Sequence, residues 1–167
     1  MKILFVGSVD FSKSALQLLI NLKENIVGVC TLEESAINSD FVDLKPLAKT
    51  KNIPVHYTKD INSKESFEWI KSLQPDIIFC FGWSKLIKED LINFPKMGII
   101  GFHPALLPEN RGRHPIIWAL ALGLNKTGST FFFMDQGADS GDILIQDEID
   151  ISLSDDANSL YQKITKI

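Results

Sequence analysis

Apolar residues along the chain switch repeatedly between two periodicities. Ile3-Leu4-Phe5-Val6 is a continuous apolar run closed by Gly7, the pattern of a parallel strand buried on both faces. From 11 to 22 the apolar positions Phe11, Ala15, Leu18, Leu19 and Leu22 fall at helical spacing, and the run 26–30 predicts a second strand. That is one β-α-β unit, for which a right-handed crossover is the default. The alternation continues with a helix over 44–50, a strand over 55–57, a helix over 66–73, a strand over 76–81, a helix over 86–94 and a strand over 98–102. Past Phe102, Pro104, Pro108, Gly112 and Pro115 punctuate an irregular stretch. A helix over 116–124 and strands over 130–134 and 143–149 follow, the two strands separated by a Gly/Asp-rich loop. The predicted class is α/β, with a Rossmann-like, doubly wound, mostly parallel sheet. The chain ends in an amphipathic helix, 160–164, that carries no stop signal. The expectation is therefore one domain over 1–167, truncated at its C-terminus.

Composition narrows the function classes. At 167 residues, 45% hydrophobic and 23% charged, the chain fits a globular protein with a single sizeable core. Its net charge of -4 lacks the basic surplus of a domain that grips a phosphate backbone, so nucleic acid is not the expected partner. Cys30 and Cys80 sit inside apolar runs, where cysteine behaves as a small hydrophobe. Neither a signal core nor the ~20 apolar residues of a membrane span is visible, and a cytoplasmic location without membrane contact is expected.

Ligands of open α/β sheets bind beyond the carboxyl ends of the strands, which directs attention to 7–11, 81–85 and the segment after Phe102. The first loop has neither the G-x-G-x-x-G spacing of dinucleotide sites nor a Walker lysine. Asp10 and Ser12 read most simply as caps of the following helix. His103 stands at the end of a buried strand, before a proline-stiffened turn. The loop Asp135-Gln136-Gly137-Ala138-Asp139-Ser140-Gly141-Asp142 supplies three carboxylates, any one of which would orient and charge-balance an imidazole for acid–base work. Their spacing does not follow a calcium loop, and no metal is expected.

His103-Pro104-Ala105-Leu106-Leu107-Pro108, Arg111-Gly112-Arg113-His114-Pro115, Trp118-Ala119-Leu120 and Asp139-Ser140-Gly141-Asp142 together resemble the folate-dependent formyltransferases. That family includes enzymes acting on methionyl-tRNA, glycinamide ribonucleotide and nucleotide-linked amino sugars. The resemblance runs from Met1 to about Lys163. It implies a formyltransferase fold and N10-formyltetrahydrofolate as cosubstrate, held by backbone groups of Lys85, Leu86 and Ile87 and by the loop of Asp135, Gly137 and Ala138. His103 would stabilise the tetrahedral oxyanion, and Asp139 would balance its charge and help move the proton. Ser8, Asp10 and Phe11, with Arg111, Arg113 and His114, form the expected acceptor-side set.

One position departs from the pattern. Where the family usually reads Asn-x-His, this chain reads Gly101-Phe102-His103, and a missing oxyanion donor typically costs about 10²–10³ in rate. Either another group, such as His114 or a backbone N–H, fills the space, or the site keeps binding without efficient transfer. The Arg-Gly-Arg-x-Pro run resembles the sugar N-formyltransferases most closely, implying a nucleotide-linked amino sugar as small-molecule acceptor. The alternatives are a methionyl-tRNA formyltransferase, a formyltetrahydrofolate hydrolase and an impaired folate- or nucleotide-binding module. A homodimer built by a missing C-terminal part is also implied.

Overall fold

The computed structural model describes residues 1–36 and 39–166; the expected truncation at Ile167 lies outside them. The chain divides into two compact units, Met1–Ile100 and Gly101–Ile167.

The first unit contains β1 (Ile3–Val6), α1 (Asp10–Asn21), β2 (Ile26–Thr31), α2 (Lys45–Lys49), β3 (Val55–Tyr57), α3 (Lys64–Leu73), β4 (Ile77–Cys80) and α4 (Glu89–Ile92). Strand β1 pairs in parallel with β2 and with β4, and β2 with β3, in the order β3-β2-β1-β4. Ile3, Leu4, Phe5 and Val6 are all buried, which is why β1 reads as an unbroken apolar run. Helix α3 reaches β2 through Gly28. A Cβ there would lie 2.5 Å from Leu73 Cδ1 and 2.8 Å from Trp69 Cη2, so a larger residue would push the helix off the strand. Cys30 and Cys80 are free buried thiols. Burial pushes Cys80 up to about 12, and burial, then Cys80, pushes Cys30 up as well; both are poor nucleophiles.

Two local expectations need correction. The cap of α1 is Val9, with no side-chain acceptor; Asp10 is the first helical residue. Ser12 does the capping work by accepting the Val9 N–H at 3.2 Å, while its own hydroxyl donates to the Phe81 carbonyl at 2.5 Å. The helix expected over 86–94 contracts to Glu89–Ile92. The Asn62 carboxamide donates to the Leu86 carbonyl at 2.9 Å and accepts the Lys88 N–H at 2.7 Å. These bonds hold the backbone before Glu89 to a distant side chain and away from a helical ladder.

Strand β5 (Ile99–His103) carries the chain into the second unit, followed by α5 (Pro115–Ala121), β6 (Lys126–Phe133), β7 (Ile143–Asp150) and α6 (Ala157–Ile164). Strands β6 and β7 form an antiparallel hairpin, and the order is β5-β6-β7. Strand β6 starts at Lys126 rather than at 130. Its early residues Thr127, Gly128 and Ser129 are buried but do not read as an apolar run. Gly128 serves close packing: a Cβ there would lie 2.4 Å from Leu106 Cδ2. Ile149, Leu160 and Ile164 form the helix-facing core, with Phe102, Ile116, Leu120 and Ile151 packed on it. Among the described residues no helix is long and apolar enough to cross a membrane.

Helix α6 is fixed at its entry by a carboxylate cluster. Asp156 accepts the Ser159 N–H at 2.8 Å. Asp155 accepts from Lys163 Nζ at 2.5 Å, from the Ser152 N–H at 2.7 Å and from the Ser152 and Ser159 hydroxyls at 2.9 Å each. These bonds, Lys163 foremost, hold the Asp155 carboxyl well below the usual carboxylate range. A depressed carboxylate stabilises the fold fully above its unfolded pKa of ~3.9 and loses that contribution as pH falls toward the folded value. Thermal unfolding of the wild type and Asp155→Asn should differ by a constant interval near neutrality. The interval should narrow as pH drops below ~4; an interval equal in acid and at neutrality would rule out the charge as its source.

Candidate active site

The chemistry-bearing residues of the second unit meet at the end of β5 and in the β6–β7 turn. His103 is the last residue of β5 and is only 5% exposed. Its Nε2 lies 2.8 Å from the Asn110 carbonyl, and its Nδ1 lies 3.5 Å from Asp139 Oδ2. The first distance is a hydrogen bond; the second is a looser contact at the outer limit of one. Both ring nitrogens therefore face oxygen acceptors, and only the doubly protonated ring donates to both. Of the three loop carboxylates, Asp139 is the one brought to the imidazole.

Two residues that no motif pointed to hold the segment after His103 in place. Thr130, fully buried, donates its hydroxyl to the Ala105 carbonyl at 2.6 Å. Gln146 donates to the Leu107 carbonyl and to Thr130 Oγ1, both at 2.9 Å. A return bond from the Ala105 N–H to the His103 carbonyl, 2.9 Å, closes the turn. The only signal in the sequence is a polar residue at an apolar end of each hairpin strand, in Thr130-Phe131-Phe132-Phe133 and in Ile143-Leu144-Ile145-Gln146.

The turn over 110–114 presses main-chain groups against the pair. Asn110, Gly112 and His114 have φ of 53°, 92° and 60°, the left-handed region that non-glycine residues rarely occupy. This conformation presents the Asn110 carbonyl to His103 and the Gly112 N–H to Asp139 Oδ2, at 2.8 Å. Arg111, Arg113 and His114 are exposed, with His114 at the N-cap of α5.

The β6–β7 loop gives its carboxylates different jobs. Asp135 Oδ1 accepts the Gly137 N–H at 2.9 Å and the Ser140 hydroxyl at 2.7 Å, so Asp135 braces the loop from within. A Cβ at Gly141 would lie 1.7 Å from the Phe133 carbonyl oxygen, and one at Gly137 would lie 2.0 Å from Ser140 Oγ. Backbone against backbone makes glycine necessary at Gly141, whereas at Gly137 the Ser140 hydroxyl would have to turn away from Asp135. Gly137 and Ala138 are exposed, whereas the Asp139 side chain is 23% exposed.

In the first unit, Lys85 and Leu86 are exposed and Ile87 is buried. Lys85 Nζ donates to the Lys59 carbonyl. Ser8 and Phe11 are buried and Asp10 is exposed; the Phe11 ring lies 6.0 Å from that of Phe81. Among the described residues no three His, Cys, Asp or Glu side chains group as a metal would require.

Gly101 is enclosed. A Cβ there would lie 2.9 Å from Phe132 Cε1 and Cζ and 3.0 Å from Met134 Cγ. The place that a Cβ would take is bordered by an aromatic ring and a thioether chain, and neither donates a hydrogen bond. Gly101→Asn should therefore overpack the hairpin and lower unfolding stability by about 1–3 kcal/mol, read by chemical denaturation. Unchanged stability would mean that Phe132 and Met134 yield freely and that the volume is open to a carboxamide.

The family model described as formyl transferase matches residues 1–167. The chain is 37% identical over 171 aligned residues to methionyl-tRNA formyltransferase of Kosmotoga olearia, covering 100% of this chain and 55% of that protein. It is 34% identical to the methionyl-tRNA formyltransferase of Clostridioides difficile, again with 55% of the relative covered. It thus spans about half the length of these curated relatives. Among solved structures, phosphoribosylglycinamide formyltransferase from Bacillus halodurans aligns at a TM-score of 0.84 and 24% identity, over 99% of this chain and 88% of that one. A sugar 3N-formyl transferase, in the presence of dTDP and 5-N-formyl-THF, aligns at 0.74 and 23% identity, over 99% and 58%. These structural likenesses establish the α/β formyltransferase fold, and with the match along the whole sequence the chain belongs to the formyl transferase family.

Proposed function

We propose that this protein transfers the formyl group of N10-formyltetrahydrofolate to the amine of a nucleotide-linked amino sugar. The observation that carries this reading is the approach of a buried imidazole, His103, to the Asp139 carboxylate at 3.5 Å. The acceptor nitrogen's lone pair forms a bond to the formyl carbon, and the carbonyl π pair moves to oxygen. An N–H of His103 donates to that oxyanion; a preorganised donor of this kind contributes on the order of 3 kcal/mol. Collapse restores the C=O bond and breaks the bond from carbon to N10. The proton lost by the amine passes to N10 through His103, Asp139 and water. A formamide and tetrahydrofolate result.

Gly137 and Ala138 are exposed on a loop braced by Asp135; with the Gly137 N–H taken by Asp135, the Gly137 carbonyl and the Ala138 amide are the groups left for the pterin. The assignment of Lys85, Leu86 and Ile87 to the same cosubstrate rests on the family resemblance. So does the acceptor role of Ser8, Asp10 and Phe11, of which Asp10 alone is exposed. Arg111 and Arg113 are exposed on the turn that touches His103 and Asp139. Their planar guanidinium forks suit the oxygens of a diphosphate, and His114 adds a third donor beside them.

The second reading is formylation of methionyl-tRNA, favoured by the 37% identity to an enzyme of that name. The net charge of -4 favours the smaller acceptor.

Titration with 5-formyltetrahydrofolate should give saturable one-to-one binding. Formyl transfer should then proceed to a dTDP-linked amino sugar and not to methionyl-tRNA; the reverse preference would overturn the acceptor assignment, and formate release at equal rate without any amine would make water the acceptor. His103→Ala and Asp139→Asn should each lower kcat by about 10²–10³ while retaining 5-formyltetrahydrofolate binding. Full transfer by His103→Ala would discard the mechanism.

A further inference from the structure

We infer that Asn110 and Gly112 are positioning residues for the His103–Asp139 pair and act through their main-chain atoms, an inference that rests on the formyl-transfer reading. The Asn110 carbonyl at 2.8 Å from Nε2 requires a hydrogen on that nitrogen, since a carbonyl only accepts. Nδ1, facing Asp139 at 3.5 Å, is then the nitrogen that gains and loses the proton. The turn thereby selects the tautomer of a ring that is only 5% exposed and has little water to compete for it.

The same bond marks a direction. With Nδ1 committed to the Asp139 side, Nε2–H is the donor left for a developing oxyanion. An oxyanion is a stronger acceptor than a neutral carbonyl, so it draws off the hydrogen that rests on Asn110 in this structure. Gly112 acts on the partner. Its N–H donates to Asp139 Oδ2 at 2.8 Å, the oxygen that faces His103, and so fixes which oxygen does so.

Both contacts depend on backbone conformation. Asn110, at φ 53°, occupies a region open to Asn and Gly but costly for a β-branched residue. A Cβ at Gly112 would meet nothing within 4 Å, yet its φ is 92°; the conformation alone demands glycine. No other residue of the turn reaches the pair through a bond of this kind.

The experiment is long-range ¹H–¹⁵N spectroscopy of free protein labelled at histidine. The chain has three histidines, and the His103 signal is assigned by its loss in His103→Ala. In the neutral ring, wild type and Asn110→Gly should both show hydrogen on Nε2, whereas Asn110→Val should show a mixture of tautomers. On the acceptor identified by transfer assay, Asn110→Val should lower kcat by about 10²-fold with KM unchanged, and Asn110→Gly should restore it. A wild-type ring with hydrogen on Nδ1 and a bare Nε2 overturns the inference, whether or not the valine variant folds. So does an Asn110→Gly variant as damaged as the valine one, because the side chain would then be the active group. Failure of wild-type protein to bind 5-formyltetrahydrofolate would sink the transfer reading separately, with the tautomer still readable in the free protein.

Discussion

A buried imidazole with two ring nitrogens must find a partner for each, and the second unit is organised around meeting that demand for His103. One partner is a carbonyl in the turn after β5 and the other a carboxylate in the β6–β7 loop. Neither segment is regular secondary structure, so each needs its own support. The first is pinned by Thr130 and Gln146 through the carbonyls of Ala105 and Leu107. The second is braced by Asp135 and by Gly141, whose close approach to the Phe133 carbonyl excludes a Cβ. Removing an unreactive residue from either support would leave a polar nitrogen in the interior without its acceptor, which is costly.

Much of this was legible in the sequence, for definable reasons. Strands buried on both faces are written as largely apolar runs, and such runs match β1, β2 and β4 to within a residue or so. The motifs single out His103 and Asp139, and the structure brings these two side chains to 3.5 Å of one another. The residues that position them were not legible. Thr130 and Gln146 act through bonds to segments remote in sequence, and each looks like an ordinary strand position. The overlong helix at 86–94 fails for the same reason: the Asn62 side chain captures two backbone groups of that segment. Local periodicity has no access to such a competitor. The apolar run marks only the second half of β6, because burial against Leu106 demands small residues in the first half, and these imitate a loop.

Gly101 bears on how the site tolerates its departure from the family pattern. A glycine there admits Phe132 and Met134 close to β5, so the loss of a carboxamide is coupled to tighter apolar packing of the hairpin. The sequence framed the alternatives as a substituted donor or an impaired site. Phe132 and Met134 border the place that a Cβ at Gly101 would take, and His114 stands at the exposed start of α5. On the proposed mechanism His103 is then the side-chain donor that remains, and its share of the oxyanion's stabilisation increases.

That larger share explains why backbone groups suit the task of orienting His103. A side chain that oriented the ring would have rotamers of its own to fix, at an entropic cost. A carbonyl in a turn with three left-handed residues has its direction set by the chain. Asp139, itself at φ 53°, is under the same constraint, and the oxygen that faces His103 is tied to another main-chain group. Two carboxylates on one loop thus diverge in function through local geometry: Asp135 turns inward to the loop's own N–H and hydroxyl, and Asp139 turns to the imidazole. With two of its contacts made by rigid backbone rather than mobile side chains, a site short of one donor keeps the other two groups aligned at little further entropic cost.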